Sequence, residues 1–141
     1  AYDRLTAGIK AHLSELNAIH DFGDFRNSYA ESTEKIKEGF AKMGVSIKPL
    51  IDAHPVTDRK FLNFNEAFAT HIDGMTTTDA NALKVWIAGH MNAPEDQMRW
   101  RWQAGDMAMW DNRVTQHYAV GDYLPAYRCM NRVTVVRDGR A

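Results

Sequence analysis

The sequence contains little of what marks secreted, membrane-spanning or nucleic-acid-binding proteins. Among its 141 residues there is one cysteine, Cys129, so no internal disulfide can form and a reducing compartment, the cytoplasm, is expected. No apolar run approaches the ~20 residues that span a bilayer, and the opening AYDRLTAGIK has no signal-peptide pattern. The formal net charge of -1 gives no field that would recruit nucleic acid or an anionic membrane. We therefore expect neither kind of partner.

The chain does contain enough apolar material for one ordinary domain, with 45% hydrophobic and 11% aromatic residues. Apolar residues at helical spacing predict three helices. They are expected over residues 3–17, from about Glu31 to a stop at Gly44, and from a cap at Thr78 or Asp79 to a point before Pro94.

Strand-like patterns dominate the second half of the chain. Residues 61–65 form the body of a predicted strand, and from Met98 onward the apolar period changes to two. The stretch RCMNRVTVV predicts a last strand. Helices first and antiparallel-type strands later indicate an α+β or mainly β domain, for which an all-β closure with appended helices is plausible.

Two arginines in that last stretch could be either buried or exposed to solvent. On a regular strand Arg128 and Arg132 share one face, with their guanidinium groups starting roughly 13 Å apart. If that face is buried, two permanent cations need anions, and a ligand carboxylate or sulfonate would suit them. If it is solvated, Cys129, Val133 and Val135 would pack inside instead. Periodicity leaves both alternatives open.

The histidines pose a similar choice. His71-Ile72-Asp73 is a His-x-Asp pair, which with a distant His117 would form the two-histidine, one-carboxylate set typical of non-haem iron(II). The alternative places the pair in a loop before Gly74 and makes His117 a structural histidine. Spacing alone does not decide between them.

The longest motif in the sequence gives more information on function than the histidines and arginines taken separately. RWRWQAGDMAMWDNRVTQHYAVGDYLPAYRCMNRVTVVRDG resembles the C-terminal end of the taurine dioxygenase family of iron(II)/2-oxoglutarate-dependent oxygenases, which includes alkylsulfate and phenoxyacetate dioxygenases. The likeness extends upstream through HPVTDRKFLNFNEAF and LNAIHDF to the start of the chain. It implies a double-stranded β-helix, that is, a jelly-roll core with helices packed outside. Residues 1–141 would be the C-terminal portion of one such domain.

The resemblance also assigns roles. It implies that His117 is the distal metal ligand for Fe(II), that Arg128 holds the far carboxylate of the cosubstrate 2-oxoglutarate, and that Arg132 faces the anionic head of the substrate. It places Phe68 in the substrate pocket wall and Trp102 and Trp110 near the metal. Arg128 and Arg132 would then share the inner face.

One expected feature is missing from the chain. In this family the His-x-Asp of the metal site lies upstream of a position equivalent to Ala1 and does not align with His71-Ile72-Asp73, which falls in the loop after Phe68. We therefore expect a parent protein about twice this length, and a fragment that alone binds iron weakly or not at all. Half a jelly roll would also leave strand edges unpaired.

The function implied is hydroxylation of a small anionic organic substrate with O2, releasing succinate and CO2. A taurine-like sulfonate or a sulfate ester is expected, and aryloxyacetate-type carboxylates are the second substrate class. Two alternatives stand beside catalysis. The chain could be a non-catalytic jelly-roll binding module that kept the arginine clamp, or an interaction fragment whose edges pair with another chain. Homo-oligomerisation is left open.

Overall fold

A computed structural model describes residues 1–21 and 44–135 of the chain. The elements, in chain order, are a 3-10 turn Tyr2–Arg4, helix α1 Ala7–Ser14, strands β1 Asn17–His20, β2 Ser46–Pro49, β3 Ile51–Ala53, β4 Lys60–Leu62 and β5 Ala69–Ile72, helix α2 Thr77–Met91, and a 3-10 turn Pro94–Asp96. The helix predicted from Glu31 to Gly44 lies outside the described residues.

The strands form two antiparallel sheets. One has three strands in the order β2-β1-β5, and the other is the β3-β4 hairpin. Ala18, in the central strand, is fully buried between Lys48 and Ile72 of the neighbouring strands. Antiparallel pairing of short strands beside helices confirms the mixed class that the sequence indicates.

Leu50 joins the two sheets. It lies between β2 and β3, its N–H donates to the carbonyl of Leu16 at 2.9 Å, and its carbonyl accepts from the N–H of Asn63 at 2.8 Å. Its side chain is fully buried. Because both backbone groups are satisfied inside the core, the chain can pass from one sheet to the other without leaving a buried polar group unpaired.

The helices cover these sheets with their apolar residues. Helix α2 packs on β5, where Ile87 and Ile72 are both fully buried, and α1 packs on β3 through Leu13. Burying a side chain of this size contributes roughly 1.5–3 kcal/mol. The core of the described residues therefore lies entirely within residues 1–91.

The first predicted helix is shorter than expected. Instead of one helix over residues 3–17, the structure has the 3-10 turn and α1, because Leu5 and Thr6 are extended, with ψ of 142° and 159°. The strand predicted at residues 61–65 is β4, which ends at Leu62.

The cap of α2 also differs from the prediction. The N-cap is Thr76 rather than Thr78 or Asp79: its Oγ1 accepts from the N–H of Asp79 at 3.2 Å and donates to the Asp79 carboxylate at 2.7 Å. Asp79 occupies the third helical position, so the Thr76 hydroxyl caps its N–H and also binds its carboxylate. The Thr-x-x-Asp spacing could have identified it.

The strands predicted from Met98 to the end are absent from residues 97–135. Backbone hydrogen bonds there close local turns only, such as Asp106 N–H to Gln103 at 3.1 Å and Ala126 N–H to Tyr123 at 2.7 Å. An apolar period of two determines which side chains would share a face of a strand. A strand forms, however, only where a neighbouring backbone accepts its hydrogen bonds. No described strand lies alongside this segment, so the described residues do not close a jelly roll.

Within the part of the chain that is described, no helix is long and apolar enough to cross a membrane.

The cap at Thr76 gives a stability prediction. Thr76→Ala should lower the free energy of unfolding by about 1 kcal/mol, because the N–H group of Asp79 in the first turn loses its side-chain partner. Urea unfolding followed by circular dichroism measures this. Thr78→Ala is the matched control, since Thr78 is exposed in the same turn. Equal losses in the two variants would contradict Thr76 as the cap.

Candidate functional site

The turn WDNR, residues 110–113, is held together by its own side chains. Asp111 accepts from the N–H of Arg113 at 2.9 Å and forms an ion pair with the Arg113 guanidinium at 2.5 Å. The Trp110 indole N–H donates to the Asn112 side chain at 2.9 Å. The N–H of Thr115 donates to the Asp111 carbonyl at 3.1 Å. This local network brings the chain to His117 in a defined turn.

The Asp111 carboxylate is strongly stabilised in its ionised form. Hydrogen bonds from the Arg113 side chain, then from His54, then from the Arg113 backbone hold the pKa of Asp111 well below its usual range. A depressed carboxyl pKa contributes stability above the unfolded-state pKa, and that stability is lost as pH falls towards the folded-state value. The contacts of Asp111 therefore persist throughout the neutral and mildly acidic range.

His54 reaches this turn from the loop between β3 and β4. Its Nε2 lies 2.9 Å from Oδ2 of Asp111, and its side chain is only 11% exposed. Its Nδ1 accepts from the N–H groups of Val56 and Thr57 at 3.3 and 3.2 Å. Sequence analysis missed this contact, because the two residues are 57 positions apart.

His117 itself is exposed, and its ring centroid lies 5.1 Å from that of Trp110 at a tilt of 54°. The preceding residue, Gln116, donates from its side chain to the carbonyl of Phe64 at the end of the hairpin. Trp110 therefore packs beside His117. Trp102, by contrast, makes its ring contact with Trp100, edge to face at 6.5 Å.

The described residues do not complete an iron site. Within residues 1–21 and 44–135, no three His, Cys, Asp or Glu side chains are grouped so that they could hold a metal ion. His117 fits as one imidazole ligand, but iron(II) of this type needs a second histidine and a carboxylate.

His71 and Asp73 do not supply them. The prediction that this pair lies in a loop is wrong for His71, which is in β5 because β1 offers it a pairing edge at Ile19. Its Nε2 lies 3.0 Å from the Met75 carbonyl. Asp73 follows the strand, and its N–H donates to Asn17 at 2.9 Å.

Arg128 is half-buried, with its guanidinium carbon 5.3 Å above the centre of the Tyr123 ring. Such a cation–π contact contributes roughly 0.5–2 kcal/mol and restrains the guanidinium plane. Among the described carboxylates, the one nearest in sequence, Asp122, pairs with Arg99 at 2.5 Å instead. Among the described residues, Arg128 therefore has Tyr123 as its contact and no carboxylate partner.

The predicted common inner face of Arg128 and Arg132 is not formed. Arg132 is exposed, and residues 128–132 are not a strand, so the i, i+4 rule does not apply to them. The alternative also fails, because Val133 and Val135 are 89% and 92% exposed rather than packed inside. Both ideas assumed a pleated backbone, which the described residues do not provide.

Phe68 lies half-buried in the turn that leads into β5. Its carbonyl accepts from the N–H of Asp21 at 2.9 Å, which fixes the turn to the end of β1.

Comparison with known families gives this arrangement a context. Residues 1–134 match the family described as "Taurine catabolism dioxygenase TauD, TfdA family". The chain belongs to this family. TauD-family dioxygenases use Fe(II) and 2-oxoglutarate, which confirms the family and the cofactors expected from the WDNR-to-arginine motif.

The names of two similar curated proteins refer to sulfate esters. The chain is 33% identical over 144 residues to an alkylsulfatase of Acinetobacter baylyi, covering 98% of the chain and 45% of that protein. It is 41% identical over 90 residues to an alpha-ketoglutarate-dependent sulfate ester dioxygenase of Pseudomonas putida, covering 64% of the chain and 30% of that protein. The chain thus spans about half the length of the curated relatives it matches, or less.

The fold agrees with the family. A taurine dioxygenase crystal structure from Burkholderia xenovorans superposes with a TM-score of 0.58 at 26% identity, covering 74% of this chain and 32% of that one. The mainly β class expected for the core is therefore supported by a TauD structure as well as by the antiparallel sheets.

Proposed function

We propose that the protein is an Fe(II)- and 2-oxoglutarate-dependent dioxygenase that hydroxylates a small anionic substrate, a sulfonate or sulfate ester, releasing succinate and CO2. The observation that carries the proposal is the TauD match over residues 1–134, which includes His117 and Arg128 in the motif order of the family. The complete domain would be a double-stranded β-helix in the cytoplasm, where the thiol of Cys129, exposed in the structure, stays reduced.

His117 would be one of the metal ligands, and the other two would lie outside the described residues. The bound ion would supply the oxidative chemistry, while this chain supplies orientation. Trp110 packs beside the His117 ring, and this contact would restrain the imidazole. A ligand imidazole restrained in this way loses less rotational freedom on binding.

Arg128 would bind the carboxylate of 2-oxoglutarate that is remote from the metal. Its guanidinium is half-buried, rests on Tyr123 and has no carboxylate partner among the described residues. A planar guanidinium accepts a carboxylate through two parallel, charge-assisted hydrogen bonds. The Tyr123 contact orients that plane before the cosubstrate arrives.

Arg132 would bind the anionic group of the substrate, with the carbon chain against Phe68. In the described part of the chain Arg132 has no ion-pair partner, so a ligand anion would be its counter-charge. The names of the Acinetobacter and Pseudomonas relatives support a sulfate ester within the proposed class. An aryloxyacetate carboxylate is the second candidate, because the same fork binds either group.

A non-catalytic role is favoured by one observation, the exposed apolar side chains on the segment without strands. Met107, Met109 and Val135 are each more than nine-tenths exposed. A surface of this kind is typical of an interaction partner. An obligate assembly that holds no metal would identify an interaction protein, and 2-oxoglutarate binding without succinate release would identify a binding module.

The metal role of His117 can be tested in the full-length protein. His117→Ala should abolish succinate formation and Fe(II)-dependent binding of 2-oxoglutarate while leaving the fold intact by circular dichroism. The paired control is Asp73→Ala, which should retain both, because Asp73 lies beyond the end of β5. Near-normal turnover in His117→Ala, or loss of iron in Asp73→Ala, would show that the ligands are assigned incorrectly.

The Arg128 assignment gives a binding prediction. Arg128→Lys keeps the charge but loses the planar fork, so 2-oxoglutarate affinity should fall by ~2–5 kcal/mol, as for other desolvated charge pairs. An anaerobic titration that follows the metal-to-ligand absorption band measures the dissociation constant. Arg99→Lys is the control, since Arg99 is already paired with Asp122. An unchanged constant in Arg128→Lys would refute the clamp.

The substrate class can be tested by succinate formation with taurine, short alkylsulfonates, alkylsulfates and aryloxyacetates. A sulfonate or sulfate ester should be the best substrate. Arg132→Ala should raise KM for that compound, because it removes the counter-charge, and should leave 2-oxoglutarate affinity unchanged. A neutral or cationic compound as the best substrate would contradict an anion-binding role for Arg132.

A further inference from the structure

The loop between β3 and β4 and the segment that carries His117 are joined by two contacts between residues far apart in the sequence. One is His54 Nε2 to Asp111 Oδ2 at 2.9 Å, a pair 57 residues apart. The other runs from the Gln116 side chain to the carbonyl of Phe64. These contacts attach both ends of residues 111–116 to the hairpin, which is itself anchored in the core through Leu50.

The hydrogen bonds of His54 determine which ring nitrogen carries the proton. The N–H groups of Val56 and Thr57 donate to Nδ1 at 3.3 and 3.2 Å, and the Thr57 hydroxyl lies 3.0 Å from the same nitrogen. A nitrogen that accepts from these groups cannot carry a proton. The proton therefore lies on Nε2, which donates it to Asp111. The loop HPVT thus sets the tautomer that the contact with Asp111 needs.

Asp111 connects His54 to the rest of the turn through its own hydrogen bonds. Its carboxylate binds the backbone and side chain of Arg113, and its carbonyl accepts from Val114 and Thr115. A change in the position of Asp111 would therefore disturb the hydrogen bonds of Arg113, Val114 and Thr115, which lead to His117.

We propose that His54 is a positioning residue for His117, which it holds at a fixed place relative to the core by fixing Asp111. His54 would act through the turn at residues 111–115, by its contact with Asp111, rather than as a catalytic residue. The functional part of this claim rests on the proposed function, whereas the structural part does not.

Two substitutions separate the two halves of the imidazole. The side-chain oxygen of asparagine can occupy the place of Nδ1, so His54→Asn should keep the HPVT turn but lose the reach to Asp111. The side-chain amide of glutamine can occupy the place of Nε2, so His54→Gln should keep the donor to Asp111. His12→Gln, at an exposed position of α1, is the unrelated control.

Amide hydrogen exchange in the metal-free full-length protein tests the structural claim. In His54→Asn the amides of Arg113, Val114 and Thr115 should exchange about tenfold faster, the effect of losing one hydrogen bond to a charged group. His54→Gln should restore most of the protection, and His12→Gln should match the wild type. Unchanged exchange in His54→Asn, or equal loss in His54→Asn and His54→Gln, would overturn the proposal.

Steady-state kinetics test the functional claim. His54→Asn should lower kcat for succinate formation about tenfold, since misplacing a group by about an ångström is costly, while KM for 2-oxoglutarate stays within about twofold. His54→Gln should recover most of the rate. Faster exchange with an unchanged kcat would refute the positioning role. If the wild type forms no succinate, the proposed function fails, and the exchange result still decides whether His54 holds the turn.

Discussion

The passage of the chain through Leu50 is the constraint on which the other contacts depend. Its side chain is fully buried, and its two backbone groups bond to residues on either side, Leu16 and Asn63. Burial of the side chain favours the compact state, and the two hydrogen bonds avoid the cost of unsatisfied groups in the core. They also fix the β3-β4 hairpin against the three-stranded sheet. The loop of that hairpin and the residues after it then provide His54 and Phe64 as attachment points for the second half of the chain.

That second half is organised differently. Residues 97–135 have local turns and exposed ion pairs rather than ladders, and the Arg99–Asp122 pair is 61% and 59% exposed. Exposed pairs of this kind contribute little, about 0–1 kcal/mol. The contact between His54, which is nearly buried, and Asp111 is better protected from solvent. A few such contacts therefore decide where the residues of the family motif lie relative to the core.

The site residues divide accordingly into those that the described contacts orient and those that they do not. His117 has Trp110 beside it and Gln116 tied to Phe64, and Arg128 rests on Tyr123. Arg132 has no such support within the described residues. A site for oxidation at a chosen C–H bond requires its groups to be held closely in place. These two oriented residues, His117 and Arg128, are the ones that we propose to bind the metal and the cosubstrate.

The sequence by itself determined the features that depend on neighbours along the chain. Helix α2 and the motif that places the chain in the TauD family were both recognisable, because their signals lie within short stretches of the sequence. Tertiary structure decided the rest. His71 became a strand residue because β1 offered it an edge, and His54 met Asp111 across 57 positions. The alternation after Met98 did not become strands in the described residues, because a strand forms only where another backbone completes its hydrogen bonds, and no local pattern specifies that partner.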